Sequence, residues 1–264
     1  MDASGAALAT IIAQAISVLF SVCYIHCHPL PFSIMEQWKA KNKSTFKILQ
    51  IGSPIALQDF LSNLSFLIIT AIINTLGVVA SAGVGISEKL FVFLSIVPMS
   101  FMSALSSFVA QNMGAGNQKR AKQSLFLAQK ISLVFGIIMF LLTFFAGELL
   151  ASLFDNDPDV QNAATQYLKG SSLEYLMISI TFCFLGYFNG REHTTFVMIQ
   201  GLLASFLIRI PLSYFLSRLP ETGLLQISFA VPASAAFSLL LCSIYFIWIR
   251  RQDNSKYDTI LTKN

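Results

Sequence analysis

Residues Phe108–Lys122, FVAQNMGAGNQKRAK, decide the fold. Before them runs a long apolar stretch from about Val78, interrupted by Glu88, Lys89 and Pro98. Within them a polar pair, Gln111 and Asn112, leads into a Gly-Ala-Gly turn and then into Lys119, Arg120 and Lys122. After Lys130 a second apolar run begins. This is a membrane helix leaving the bilayer, a tight reversal that glycine permits without Cβ clashes, and the next helix entering. The three cations mark that side as cytosolic.

Composition agrees. Only 11% of the residues are charged and 55% are hydrophobic, with a mean hydropathy of +0.68. A soluble domain carries about 25% charged residues. The chain therefore reads as an all-α, polytopic membrane helix bundle. Its net charge of +4 says nothing of nucleic acid, because the cations sit in loops and set orientation. Cys23, Cys27, Cys183 and Cys242 lie in or beside apolar runs, which does not suggest a disulfide framework. Cys23, His26, Cys27 and His28 cluster, but their spacing fits no common zinc pattern, so no metal site is expected. The N-terminus lacks the basic start of a signal peptide.

Seven stretches are long enough to span, at 5–25, 48–75, 79–110, 128–154, 163–188, 195–217 and 224–249. Twelve cations fall in the connections of one side, from Lys39 to Lys47, at Lys119, Arg120 and Lys122, at Arg191, and from Arg250 to Lys263; the other side has Arg218 alone. The C-terminus is thus expected in the cytosol and the N-terminus outside. Pro54, Pro98, Pro211 and Pro232 lie inside spans, where neighbouring groups can satisfy the carbonyls they free. The basic segment 26–47, with Pro29, Pro31 and Trp38, reads as a linker along the inner surface. Ala9, Ala15, Ser17 and Tyr24 recur, shifted by 221 positions, as Ala230, Ala236, Ser238 and Tyr245. Such a repeat suggests two related lobes. The expected organisation is the last helix of a first lobe at 1–25, a linker at 26–47, a six-helix lobe at 48–250 and a cytosolic tail at 251–264.

Charge inside a span costs about 2.5–3.5 kcal/mol at a helix centre, so such residues are functional candidates. They are Asp59, Glu88, Lys89, Glu174 and Arg209. Asp59 heads a polar stripe that continues through Asn63, Thr70 and Asn74, with Ser62 beside it. A stripe of this kind lines a cavity or meets another helix. Asp59, Asn63, Ser62 and Glu174 are the candidates for cation coupling or substrate binding. Glu88, Lys89 and Arg209 are expected in structural charge pairs.

Several stretches resemble the multidrug and toxic compound extrusion (MATE) transporters, in the family's order. Ser4–Thr10 resembles the start of that family's sixth helix, and Ile51-Gly52-Ser53-Pro54-Ile55-Ala56-Leu57-Gln58 the start of its seventh. Phe108–Lys122 resembles the end of its eighth helix with the following loop. Phe188-Asn189-Gly190 with Thr194-Thr195-Phe196 resembles the loop after its tenth, and Arg209-Ile210-Pro211-Leu212 its eleventh. The resemblance implies the sixth to twelfth helices of a transporter in the inner (plasma) membrane. It implies export of organic cations and drug-like amphiphiles by alternating access, in antiport with H⁺ or Na⁺, without another cofactor. It also implies a missing N-terminal lobe as partner and inactivity of the chain alone. An acid in the family's tenth helix matches Glu174; a Glu that some Na⁺-coupled relatives place two turns after the helix-seven proline falls at Ser62 here. Three other readings compete. A lipid-linked saccharide flippase of the same superfamily requires a more cationic cavity. A membrane enzyme needs paired carboxylates for Mg²⁺, for which only Asp155–Asp159 is available, so no enzyme is expected. The third is a truncated gene product without activity.

Overall fold

The computed structural model describes residues 3–27, 43–219 and 223–261. The chain divides into two compact units, residues 1–48 and 49–264. In the first, α1 (Ala3–Cys27) is a helix whose Cys23 and Cys27 are exposed free thiols. The expected linker at 26–47 falls mostly outside the described residues, as does Lys263 of the tail.

The second unit follows from α2 (Lys43–Asn74) onward. Next come α3 (Val78–Leu94), α4 (Ile96–Gly114), α5 (Gln118–Phe145) and the short α6 (Gly147–Ser152). Then follow α7 (Pro158–Ser171), α8 (Glu174–Gly190) and α9 (Thr194–Leu202). A π-helical segment (Leu203–Arg209) leads into α10 (Ile210–Arg218), and α11 (Leu224–Ser228) into α12 (Ala230–Leu261). Among the described residues no element is a strand. Five helical stretches are long and apolar enough to cross a membrane, and six if the α7–α8 pair, bent by 53°, counts as one span. Ile11–Ile25 is a shorter apolar helix. The protein is thus an integral membrane helix bundle. The expected span 128–154 ends sooner, because the helix breaks at Ala146 after Phe145.

The Gly-Ala-Gly reversal is a Schellman closure of α4. Asn117 N–H donates to the Asn112 carbonyl at 2.8 Å and Gly116 N–H to the Met113 carbonyl at 3.1 Å, with Gly116 at φ +76°. One glycine of the pair, Gly116, has the left-handed backbone. The same closure ends α8, where His193 N–H donates to Phe188 and Glu192 N–H to Asn189. There the left-handed position is held by Glu192, at φ +64°.

Lipid tails give helices no hydrophobic reason to associate, so close packing through small residues takes that role. Gly186 and Gly190 of α8 face the α4 backbone at Met102 and Ser106, and Gly83 of α3 lies against Ala163 and Ala164 of α7. A Cβ on Gly186 would stand 2.5 Å from the Met102 carbonyl oxygen. Gly186→Ala is therefore expected to destabilise the lobe by about 1–3 kcal/mol, as overpacking does. Thermal melting of the detergent-solubilised protein checks this; an unchanged melting temperature would mean that α4 and α8 are not in direct backbone contact. Around this seam Leu105, Val109, Leu125, Cys183, Tyr187, Phe188 and Cys242 form the largest buried apolar cluster.

The seam's end is clamped by charge. Arg191 donates to both Asp253 oxygens at 3.0 Å and to the Tyr187 hydroxyl at 2.9 Å, and Lys122 pairs with Asp253 at 3.2 Å. The start of α5, the α8–α9 loop and the far end of α12 therefore meet at one end of the bundle. These are three of the connections whose cations assign them to a common side. In the Asp155–Asp159 loop, Asp157 accepts from the Asp159 N–H as the cap of α7.

Candidate functional site

The bend between α7 and α8 builds the site. Helix α7 stops at Ser171, and its last carbonyls are taken up locally. Ser171 and Ser172 hydroxyls donate to the Leu168 and Lys169 carbonyls at 3.3 and 2.8 Å. Those bonds let the backbone break inside an apolar span, which is tolerated only where protein or a water-filled cavity covers it. Glu174 then opens α8, where the positive end of a helix dipole favours a carboxylate. Its residue surface is only 7% exposed.

Glu174 lines a cavity of about 570 Å³ together with Ser62, Asn63 and Thr70 of α2, Glu88 and Lys89 of α3, Tyr167 of α7, and Arg209. Phe66, Phe91 and Tyr175 give it an aromatic wall. A second, smaller cavity of about 170 Å³ shares Ser62 and Glu174 and is lined by Gln58, Thr181, Gln200, Ser205, Ser234 and Ser238. There the Ser238 hydroxyl donates to Gln200 Oε1. The glutamate thus stands between a larger cavity that is partly aromatic and a smaller polar one.

Of the residues singled out from sequence, Glu174, Ser62, Asn63, Glu88, Lys89 and Arg209 come together around the larger cavity. Asp59 does not line it. Its side chain is exposed on α2, and the Asn63 amide donates to the Asp59 backbone carbonyl at 2.8 Å. The polar stripe begins one turn later than expected, and at its far end Asn74 accepts from the Ser81 hydroxyl. Glu88, Lys89 and Arg209 were expected in direct charge pairs. Among the described residues none of the three makes an ion pair within 4.0 Å. Arg209 instead lines the cavity with Glu174, Glu88 and Tyr167, and its Nε is buried without a hydrogen-bond partner among the described residues.

Sequence reading missed Tyr167, Gln58, Gln200 and the π segment. Gln58 and Gln200 are uncharged, so the cost that flags a buried charge did not flag them, although an amide in an apolar span also needs a partner. The π segment has a weaker signal in Pro211, which stands in the first turn of α10 and has no N–H to donate. Such segments occur frequently at functional sites, and this one ends on Arg209.

Among the described residues no cluster of His, Cys, Asp and Glu could hold a metal ion. A family model described as MatE matches residues 54–215. The probable multidrug resistance protein YpnP of Bacillus subtilis (strain 168) is 28% identical over 244 residues, covering 90% of this chain and 54% of that protein. An FAD transporter of Shewanella oneidensis is 32% identical over 167 residues, 63% of this chain and 37% of that one. Among solved structures, the Vibrio cholerae MATE transporter VcmN in its bent form superposes with a TM-score of 0.80 at 18% identity, over 95% of this chain and 56% of that one. The chain spans about half the length of YpnP and of VcmN. The family match over most of the second unit, joined to a membrane bundle of the same fold, establishes that the chain belongs to the MatE family of multidrug and toxic compound extrusion transporters.

Proposed function

We propose that this chain forms the C-terminal lobe of a secondary transporter that exports organic cations and drug-like amphiphiles in antiport with H⁺ or Na⁺. The observation that supports this most is Glu174: a buried carboxylate at a helix break, facing a cavity, without a direct ion pair among the described residues. Intramembrane carboxylates of this kind, on discontinuous helices, are where transporters hold their ions. A proton or Na⁺ and a cationic cargo compete for the same negative charge, so the cargo leaves when the ion arrives. Asn63 and Ser62 supply polar contacts beside it. Asp59, exposed on α2, is too costly to face lipid and is assigned to a surface that a partner element covers. The names of the relatives point the same way, to multidrug resistance and to a flavin nucleotide with an aromatic ring system. The loop cations support a cytosolic C-terminus, and the family resemblance supports the plasma membrane.

The test is efflux of rhodamine 123 from cells lacking their own exporters. The chain coexpressed with the first lobe of a relative is expected to lower dye accumulation, with loss of the effect when the H⁺ and Na⁺ gradients are collapsed. The chain alone is expected to leave accumulation unchanged. Gradient-driven efflux by the chain alone in proteoliposomes would contradict the assignment as one lobe of two. No efflux from the pair, both inserted, would contradict the transport reading.

A further inference from the structure

A third cavity, of about 510 Å³, lies where two spans end. The span from Val78 ends at Gly114 and the α7–α8 pair at Gly190, and both glycines line the cavity. A span ends where hydrocarbon gives way to lipid headgroups. The cavity therefore stands at headgroup depth. Ile51, Ala110 and Met113, which belong to the spans, give it an apolar wall.

Its polar lining favours a cation with N–H groups to donate. Helices α4 and α8 both bring their C-terminal ends there, the negative ends of their dipoles. Glu192 adds a carboxylate, and Asn189 an amide whose Oδ1 is buried without a hydrogen-bond partner among the described residues. Arg191 brings a positive charge, and Asp253 already accepts from both of its terminal nitrogens. Glu192 is the unusual member of this lining. It holds the left-handed position, φ +64°, that Gly116 holds in the matching closure of α4, and glycine is the usual occupant there. A side chain at such a position costs backbone strain, and strain of this kind gathers at ligand sites.

We propose that this cavity binds the headgroup of a phosphatidylethanolamine from the adjoining leaflet, with Glu192 and Asn189 receiving its primary ammonium and Arg191 beside its phosphate. An ammonium has three N–H donors for these acceptors. The trimethylated headgroup of phosphatidylcholine has none. The headgroup of phosphatidylglycerol lacks the cation and meets a carboxylate and two helix C-termini unfavourably.

The test is lipid binding to the purified chain in dodecyl maltoside, read by native mass spectrometry, with the ethanolamine, choline and glycerol phospholipids of identical acyl chains. Wild type is expected to hold the ethanolamine lipid about tenfold more tightly than the choline lipid, the worth of a charged hydrogen bond. Glu192→Gly relieves the backbone. It is expected to melt no lower than wild type without lipid, yet to lose the preference. Gly114→Phe adds a ring to the cavity wall, where a Cβ meets nothing within 4 Å, and is expected to lose the preference too. Glu192→Gly decides the matter if Gly114→Phe does not fold. Equal affinity for the ethanolamine and choline lipids, tighter binding of the glycerol lipid, or a preference that survives Glu192→Gly would overturn the proposal. Glycerophosphoethanolamine, the same headgroup without acyl chains, is expected to compete poorly. Competition at the lipid's own concentration would overturn the lipid as the occupant.

Discussion

Glu174→Gln is expected to abolish ion-driven export by the assembled transporter while the lobe still folds. Glutamine keeps the shape of the side chain and much of its hydrogen bonding, and it removes the charge for which ion and cargo compete in the proposed exchange. Efflux of a cationic dye should fall to the level of cells without the transporter, and the monodisperse yield after detergent extraction should remain close to wild type. A structural pair behaves differently. Removing one partner of a buried ion pair leaves the other uncompensated and costs about 3–5 kcal/mol, so the yield itself would drop. The geometry favours the first outcome, because among the described residues Glu174 makes no ion pair within 4.0 Å that its loss would break. Normal yield with normal transport would remove Glu174 from the site. Asp59→Asn, made alongside, separates a cavity role from one at the lobe's exposed face.

Asp253→Ala is expected to be the most destabilising single change at the end of the bundle where Arg191, Lys122 and Asp253 meet. The Arg191 side chain is 8% exposed and the Asp253 side chain 11%, and two parallel hydrogen bonds of 3.0 Å join them. Without Asp253 the guanidinium stays buried with Tyr187 alone, and Lys122 loses its partner. A loss of about 3–5 kcal/mol is expected, read as a lower melting temperature and a poorer yield. Asp253→Asn retains acceptors and should lose less. Equal stability of Asp253→Ala and wild type would show that the clamp contributes nothing. The neighbouring His193 adds a pH dependence. Burial first, then the positive charge of Arg191, push its pKa below the ordinary 6.5, with Asp253 opposing. The ring held against the Tyr245 hydroxyl at 2.8 Å is therefore neutral at pH 7. A fold that prefers the neutral ring has this stability in full above about pH 6.5 and loses it as the pH falls toward the depressed folded value.

The sequence was most legible where the bilayer sets the rules. Apolar length located five of the seven expected spans, and the Gly116 reversal was readable because its backbone conformation excludes most other residues. Glu174 stood out because a carboxylate in an apolar run is too costly to keep without a task. What was hidden depends on backbone geometry that no single residue type marks. The break before Glu174 is allowed by Ser171 and Ser172, whose hydroxyls serve as readily on a continuous helix. The π segment ends on Arg209, which lines the cavity with Glu174 and Glu88, and a helical wheel at 3.6 residues per turn cannot show such a segment. Asp59 was misplaced relative to the cavity for a related reason. Periodicity identified its face as polar, but the cavity wall starts at Ser62 and Asn63, a turn beyond it.

The central claim, that Glu174 is shared between cargo and coupling ion, is tested most directly by rhodamine 123 binding to the purified chain in nanodiscs across pH 5.5 to 8.5 and across Na⁺ concentrations. Dye affinity should fall as protons or Na⁺ are added, and Glu174→Gln should lose both the high-affinity binding and its dependence on the ion. Binding that ignores both ions, or that is the same in Glu174→Gln as in wild type, would contradict the account.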